Sequence, residues 1–139
     1  MDKLEALSRY FGYTEFRGAQ EELIDAVLDR RDVLGIMPTG GGKSLCYQIP
    51  ALLNPGVTLV ISPLISLMRD QVLALKSAGI PAAYLNSSLS AEQRSLVFRN
   101  LRQGSYKILY AAPERLLGEG FLAMAREVPI SLEIGRAHV

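Results

Sequence analysis

The stretch Met37-Pro38-Thr39-Gly40-Gly41-Gly42-Lys43-Ser44 constrains this chain more than any other feature. It lies between a short apolar run, Val33-Leu34-Gly35-Ile36-Met37, and a segment from Lys43 to Leu53 that reads as an apolar helix. Successive glycines let the backbone turn tightly and aim several N–H groups inward, and a helix N-terminus behind them adds partial positive charge. The Lys43 ammonium then reaches the outer phosphates of a nucleotide, and the Ser44 hydroxyl is suited to holding Mg²⁺. Thr39, Gly40, Gly41, Gly42, Lys43 and Ser44 are therefore the candidate phosphate-binding residues, with Lys43 and Ser44 nearest to catalysis. The strict pattern has glycine where Met37 stands, but every part that touches phosphate is kept. The competing reading is a glycine-rich turn with an accidental Lys-Ser, and the flanking strand and helix argue against it.

The rest of the chain alternates short buried runs with longer amphipathic stretches. Leu4 to Tyr10 is a short helix candidate stopped by Gly12, and Leu23, Ile24, Val27 and Leu28 give helical spacing within Arg17 to Leu28. Val57 to Ile61 is a β-branched strand. Leu64 to Ala78 is helical, with Leu64, Leu67, Met68, Gln71, Val72 and Leu75 near one face and Gly79 at its end. Ala82 to Leu85 is a weaker strand, and Ala91 to Arg102 a helix capped by Ser90 with Gln93 completing a capping box. Ile108 to Ala112 is a further strand, and Glu114 to Ala125 carries one or two short helices. Strand and helix in this rhythm predict one α/β domain: a parallel sheet with helices on both faces.

Composition narrows the partners. The formal net charge is +1, from 15 basic and 14 acidic residues, so bulk charge makes no case for nucleic acid and any such contact is local. One cysteine, Cys46, allows no internal disulfide and no zinc cluster, which suits a reducing compartment. No apolar run approaches the roughly 18 residues that span a bilayer, so the expectation is a cytoplasmic protein without membrane contact. Cys46 and Tyr47 read as packing on the helix behind the loop, and Arg94, Arg99, Arg102 and Lys107 as a solvated basic run.

Several further motifs occur in order: Phe11-Gly12-Tyr13-Thr14-Glu15-Phe16-Arg17-Gly18-Ala19-Gln20, the glycine-rich loop with Leu45-Cys46-Tyr47-Gln48, Ser62-Pro63-Leu64-Ile65-Ser66-Leu67-Met68-Arg69-Asp70-Gln71, Leu85-Asn86-Ser87 and Ala112-Pro113-Glu114-Arg115-Leu116. Together, from about Leu4 to Leu132, they resemble the start of a RecQ-family DNA helicase. The resemblance implies that residues 1–132 are part of a RecA-like P-loop NTPase domain binding ATP with Mg²⁺. It carries the family's adenine-recognition motif onto Tyr13, Arg17 and Gln20. The chemistry agrees, since Gln can pair with adenine N6 and N7 together and an aromatic ring and a guanidinium can sandwich the base. Gly18 departs from the proline common in the family.

The resemblance also implies contact between single-stranded or duplex DNA and Ser62, Pro63, Leu64, Pro113, Glu114 and Arg115. Read as residues alone, Ser62 and Pro63 are equally a helix N-cap and first helical position, and Arg115 equally the partner of a nearby acid. A parent of this type unwinds DNA in the 3′ to 5′ direction in recombination and repair, with zinc held only by modules outside this chain. Its hydrolysis needs an Asp-Glu-x-His motif, and no adjacent Asp-Glu occurs here, so the chain alone is expected to be inactive.

Residues 133–139, Glu133-Ile134-Gly135-Arg136-Ala137-His138-Val139, match nothing in the family pattern. The codons GAG-ATC-GGA-AGA-GCA-CAC-GTC would encode them and contain a short-read sequencing adapter, so this tail is expected to be non-native and His138 to have no role. Two other classes remain open at this point: a small-molecule kinase or other NTPase sharing only the loop, and a non-catalytic nucleotide-binding module. Oligomeric state is not legible.

Overall fold

A computed structural model describes residues 1–29, 44–62, 65–115, 121–123, 126 and 130–135. The chain forms two compact units, Met1–Asn54 and Pro55–Val139. The apolar run at 33–37 and the loop as far as Lys43 lie outside the described residues.

The first unit is helical where described. Helix α1, Lys3–Ala6, starts at Asp2, whose carboxylate accepts the Glu5 N–H at 2.8 Å. That bond satisfies one of the helix's orphan donors. The chain continues as a wider π-helical turn, Leu7–Phe11, and stops at Gly12, whose φ of 75° admits glycine without strain. The expected helix from Leu4 to Tyr10 is thus present, but not as one regular α-helix. Helices α2, Gln20–Leu28, and α3, Leu45–Leu53, follow. Ala6, Leu7, Ile24 and Ile49 are fully buried together, with Phe11, Phe16, Leu28, Leu45, Leu52 and Leu53 packed around them. Lys3 ties α1 to α2 from outside this core, its Nζ lying 2.6 Å from Asp25 and 3.0 Å from Glu21.

The second unit is built on a parallel sheet of β1 (Val57–Ile61), β2 (Ala82–Leu85), β3 (Ile108–Ala111) and β4 (Ile130–Gly135), in the order β2-β3-β1-β4. Leu59 stands opposite Leu109 and Ile61 opposite Ala111, while Leu109 stands opposite Ala83 and Ala111 opposite Leu85. Helix α4, Ile65–Ser77, joins β1 to β2, and α5, Ala91–Arg102, joins β2 to β3. The two crossovers run in opposite directions along the sheet, so right-handedness puts α4 and α5 on opposite faces. The expectation of a parallel sheet covered on both sides holds.

Side-chain alternation fits that arrangement. Val57, Leu59, Ala83, Leu85, Leu109 and Ala111 share one cluster with Leu101, with Val97 and Phe98 of α5 packed against it. Thr58, Val60, Ile108 and Tyr110, which alternate with them, are buried as well. On α4, Met68, Val72 and Leu75 are buried but Leu67 is 44% exposed, so the apolar face is narrower than the sequence suggests. The helix ends in a Schellman turn: Ile80 N–H donates to Leu75 O at 2.9 Å and Gly79 N–H to Lys76 O at 3.0 Å. Among the described residues, no helix is long and apolar enough to cross a membrane.

Candidate nucleotide and nucleic-acid sites

Gln20 opens α2 and is only 3% exposed, although it is polar. Its side-chain Oε1 accepts the Arg17 N–H at 2.8 Å, while its own N–H donates to Arg17 O at 3.1 Å. This reciprocal pair closes the turn 17–20 and fixes the carboxamide. Gly18 sits inside the turn at φ 53°, a conformation closed to proline. The departure from the family's proline is therefore a change of backbone geometry as well as of stiffness. Arg17 and Tyr13 are exposed, Tyr13 by 51%.

Ser44 occupies the position before α3. Its carbonyl accepts the Gln48 N–H at 2.9 Å, so the helix begins in earnest here. Its side chain makes no capping bond, which leaves the hydroxyl uncommitted to the helix end. That is what a Mg²⁺ ligand at this position needs, and the residue fits the role in its chemistry. Gln20 and Ser44 belong to helices that share one core, since Ile24 of α2 packs with Ile49 and Leu45 of α3. Thr39, Gly40, Gly41, Gly42 and Lys43 lie outside the described residues. Cys46 is half-buried, and burial pushes its thiol pKa up, in keeping with a packing role.

In the second unit the carboxyl edge of the sheet gathers three segments. Past the strand ends the ladder extends by one residue on each side: Ser62 N–H donates to Ala111 O, and Ala112 N–H to Leu85 O, both at 3.0 Å. Ser62, Ala112 and Asn86 consequently begin their loops in one row, about 4.8 Å from strand to strand. Ser62 is buried, at 2% exposure, and Pro63 and Leu64 lie outside the described residues. Pro113–Arg115 forms a single 3₁₀ turn in which Pro113 and Glu114 are exposed. Sequence reading gave Asn86 no role, yet it is buried at this edge. The signal was an Asn closing a strand with Ser two residues later, the mark of a side chain that bonds its own backbone.

Comparisons with known proteins agree with the fold. The family described as DEAD/DEAH box helicase matches residues 17–128. The chain is 50% identical over 129 residues to the ATP-dependent DNA helicase RecQ of Synechocystis sp., covering 93% of this chain and 27% of that protein. It is likewise 50% identical over 134 residues to RecQ of Bacillus subtilis, covering 95% of this chain and 23% of the relative. The chain thus spans about a quarter of the length of these curated relatives. A solved structure titled as a hypothetical ATP-dependent RNA helicase from Sulfolobus tokodaii superposes with a TM-score of 0.64 at 26% identity, covering 83% of this chain and 34% of the other. A kinase sharing only the glycine-rich loop would not match on both sides of it as far as residue 128. The chain belongs to the DEAD/DEAH box helicase family, and the RecQ helicases are the members named here that it resembles over almost its whole length.

Proposed function

We propose that this chain is the ATP-binding part of the first motor domain of a RecQ-type, 3′ to 5′ DNA helicase acting in recombination and repair in the cytoplasm. Adenine is read by Gln20, with Tyr13 and Arg17 against its faces. The triphosphate lies on Thr39, Gly40, Gly41, Gly42 and Lys43, and Mg²⁺ on the Ser44 hydroxyl. DNA phosphates run along the edge formed by Ser62, Pro63, Leu64, Pro113, Glu114 and Arg115. Buried Ser62 serves this track by holding the edge, and the neighbouring residues meet the strand. Without an adjacent Asp-Glu pair to organise the attacking water, the chain binds nucleotide and does not turn it over.

The observation that carries this reading is the buried, hydrogen-bonded carboxamide of Gln20 on the helix packed against α3, the helix that Ser44 begins. A polar side chain is buried this way where its geometry matters. Competition of ATP and GTP against a fluorescent ATP analogue tests it. The unmodified chain should prefer ATP. Gln20→Ala should bring the two nucleotides to within about threefold of each other, by removing a base contact worth roughly 1–3 kcal/mol. Lys43→Ala should abolish binding of both. A base preference untouched by Gln20→Ala would defeat the adenine role while leaving the phosphate role standing.

A further inference from the structure

Asn86 is 2% exposed, and the proposed function gives it nothing to do. It stands at the carboxyl end of β2, in the row that also starts the loops at Ser62 and Ala112. Its Oδ1 accepts the Ser88 N–H at 2.8 Å and also the Ser88 hydroxyl, which closes the turn after the strand. Its Nδ2 donates to the Met68 sulfur at 3.6 Å. Met68 is itself buried and lies in the first turn of α4, the helix that follows Ser62-Pro63-Leu64. One carboxamide therefore spans two elements at the sheet edge. Its acceptor side shapes the turn that leads toward α5, and its donor side anchors the start of α4. Leu85, its neighbour in sequence, takes the Ala112 N–H, and Ala112 leads into Pro113-Glu114-Arg115.

We infer that Asn86 is a positioning residue for the proposed DNA track: it touches no DNA, but fixes the first turn of α4 to the turn at 86–88, beside the point where Ala112 leads into Pro113–Arg115. This rests on the DNA reading above. A row of backbone contacts to successive phosphates works only if its members keep their spacing. A buried amide bonded on both sides is a stiff way of keeping it. The N–H···S bond is the weaker half and the turn the stronger.

The test uses this chain, a fluorescein-labelled oligothymidylate, and anisotropy titrations across a range of salt concentrations. Each phosphate contact to a single strand contributes about 0.7 to the slope of log K against log salt. Asn86→Ala should weaken binding about tenfold and flatten that slope by about one contact. Nucleotide affinity, read separately with the fluorescent ATP analogue, should not change. A residue that merely stabilised the fold would lower the active fraction and leave the slope as it was, so an unchanged slope overturns the proposal. If Asn86→Ala fails to fold, the decision passes to Met68→Leu, which removes the sulfur acceptor, and Ser88→Ala, which removes the hydroxyl. Unaltered slopes in both would overturn it, and a flattened slope in either supports it. Failure of the unmodified chain to bind the oligonucleotide would instead sink the DNA reading, and this inference with it.

Discussion

At Gly18 a single residue alters the loop that presents the side chains proposed to read adenine. Its φ of 53° lies in the left-handed region, and a Cβ added there would meet nothing within 4 Å. Any cost of a side chain is therefore backbone strain alone. Gly18→Ala should lower stability by about 1 kcal/mol, measured by urea unfolding. Gly18→Pro should cost more and also weaken ATP binding, because proline cannot take a positive φ and the Arg17–Gln20 pair would have to break. If Gly18→Pro proved neutral, the turn would not depend on this geometry. Cys46 gives a second test at the same scale. Burial disfavours the thiolate, so the folded protein should react with iodoacetamide more slowly than the unfolded chain at any pH near neutrality. The pH midpoint of that reaction should lie above the ordinary cysteine value and fall back when urea unfolds the protein. Reaction at the free-thiol rate in the native state would contradict the packing role. Sequence marked Gln20 as the base reader only through resemblance. Its bond to the Arg17 N–H was out of reach, because it depends on a turn conformation that Gly18 permits.

Elements were most legible where local chemistry and tertiary burial point the same way. β1, β2 and α5 fall where expected: β1 and β2 are apolar runs between turn signals, and α5 carries its own start signal. That signal is complete, with Ser90 Oγ accepting the Gln93 N–H at 3.2 Å and Gln93 Oε1 accepting the Ser90 N–H at 2.8 Å. Ser90→Ala should cost about 1 kcal/mol in thermal or urea unfolding. Adding Gln93→Ala should cost less than it does alone, since the two bonds satisfy donors at one helix end and are coupled. Strict additivity would mean the box works as two independent bonds. α2 was less legible, starting at Gln20 and not at Arg17 because residues 17–19 are consumed by the turn. Leu67 was misassigned to the buried face of α4, since a helical stripe drawn from spacing alone has no fixed width. The ion pairs of Lys3 with Glu21 and Asp25 were invisible for a different reason. They join helices through a fold the local sequence does not encode.

For the molecule as a whole, the last described strand runs into the segment for which the sequence suggests a foreign origin. β4 pairs with β1 in parallel, with Leu132 opposite Thr58, Glu133 opposite Leu59 and Ile134 opposite Val60. Strands in a parallel sheet covered on both faces read as near-continuous apolar runs. β1 does so, and Leu59 is only 2% exposed. β4 reads Ile130-Ser131-Leu132-Glu133-Ile134-Gly135, an acidic residue at the register position opposite that leucine. We propose a non-native origin for residues 133–139, which would account for it: codons supplied by an adapter were never selected for a place in a sheet. The first charge in β4 falls at the first residue of that proposed tail. Glu133→Val should then stabilise the second unit by roughly 1 kcal/mol, through better strand propensity. For a chain of this size that is a rise of several degrees in the thermal midpoint. A midpoint that stayed constant or fell would mean that β4 accommodates the carboxylate at no cost. The foreign-origin reading would then lose its physical support and rest on the codon match alone.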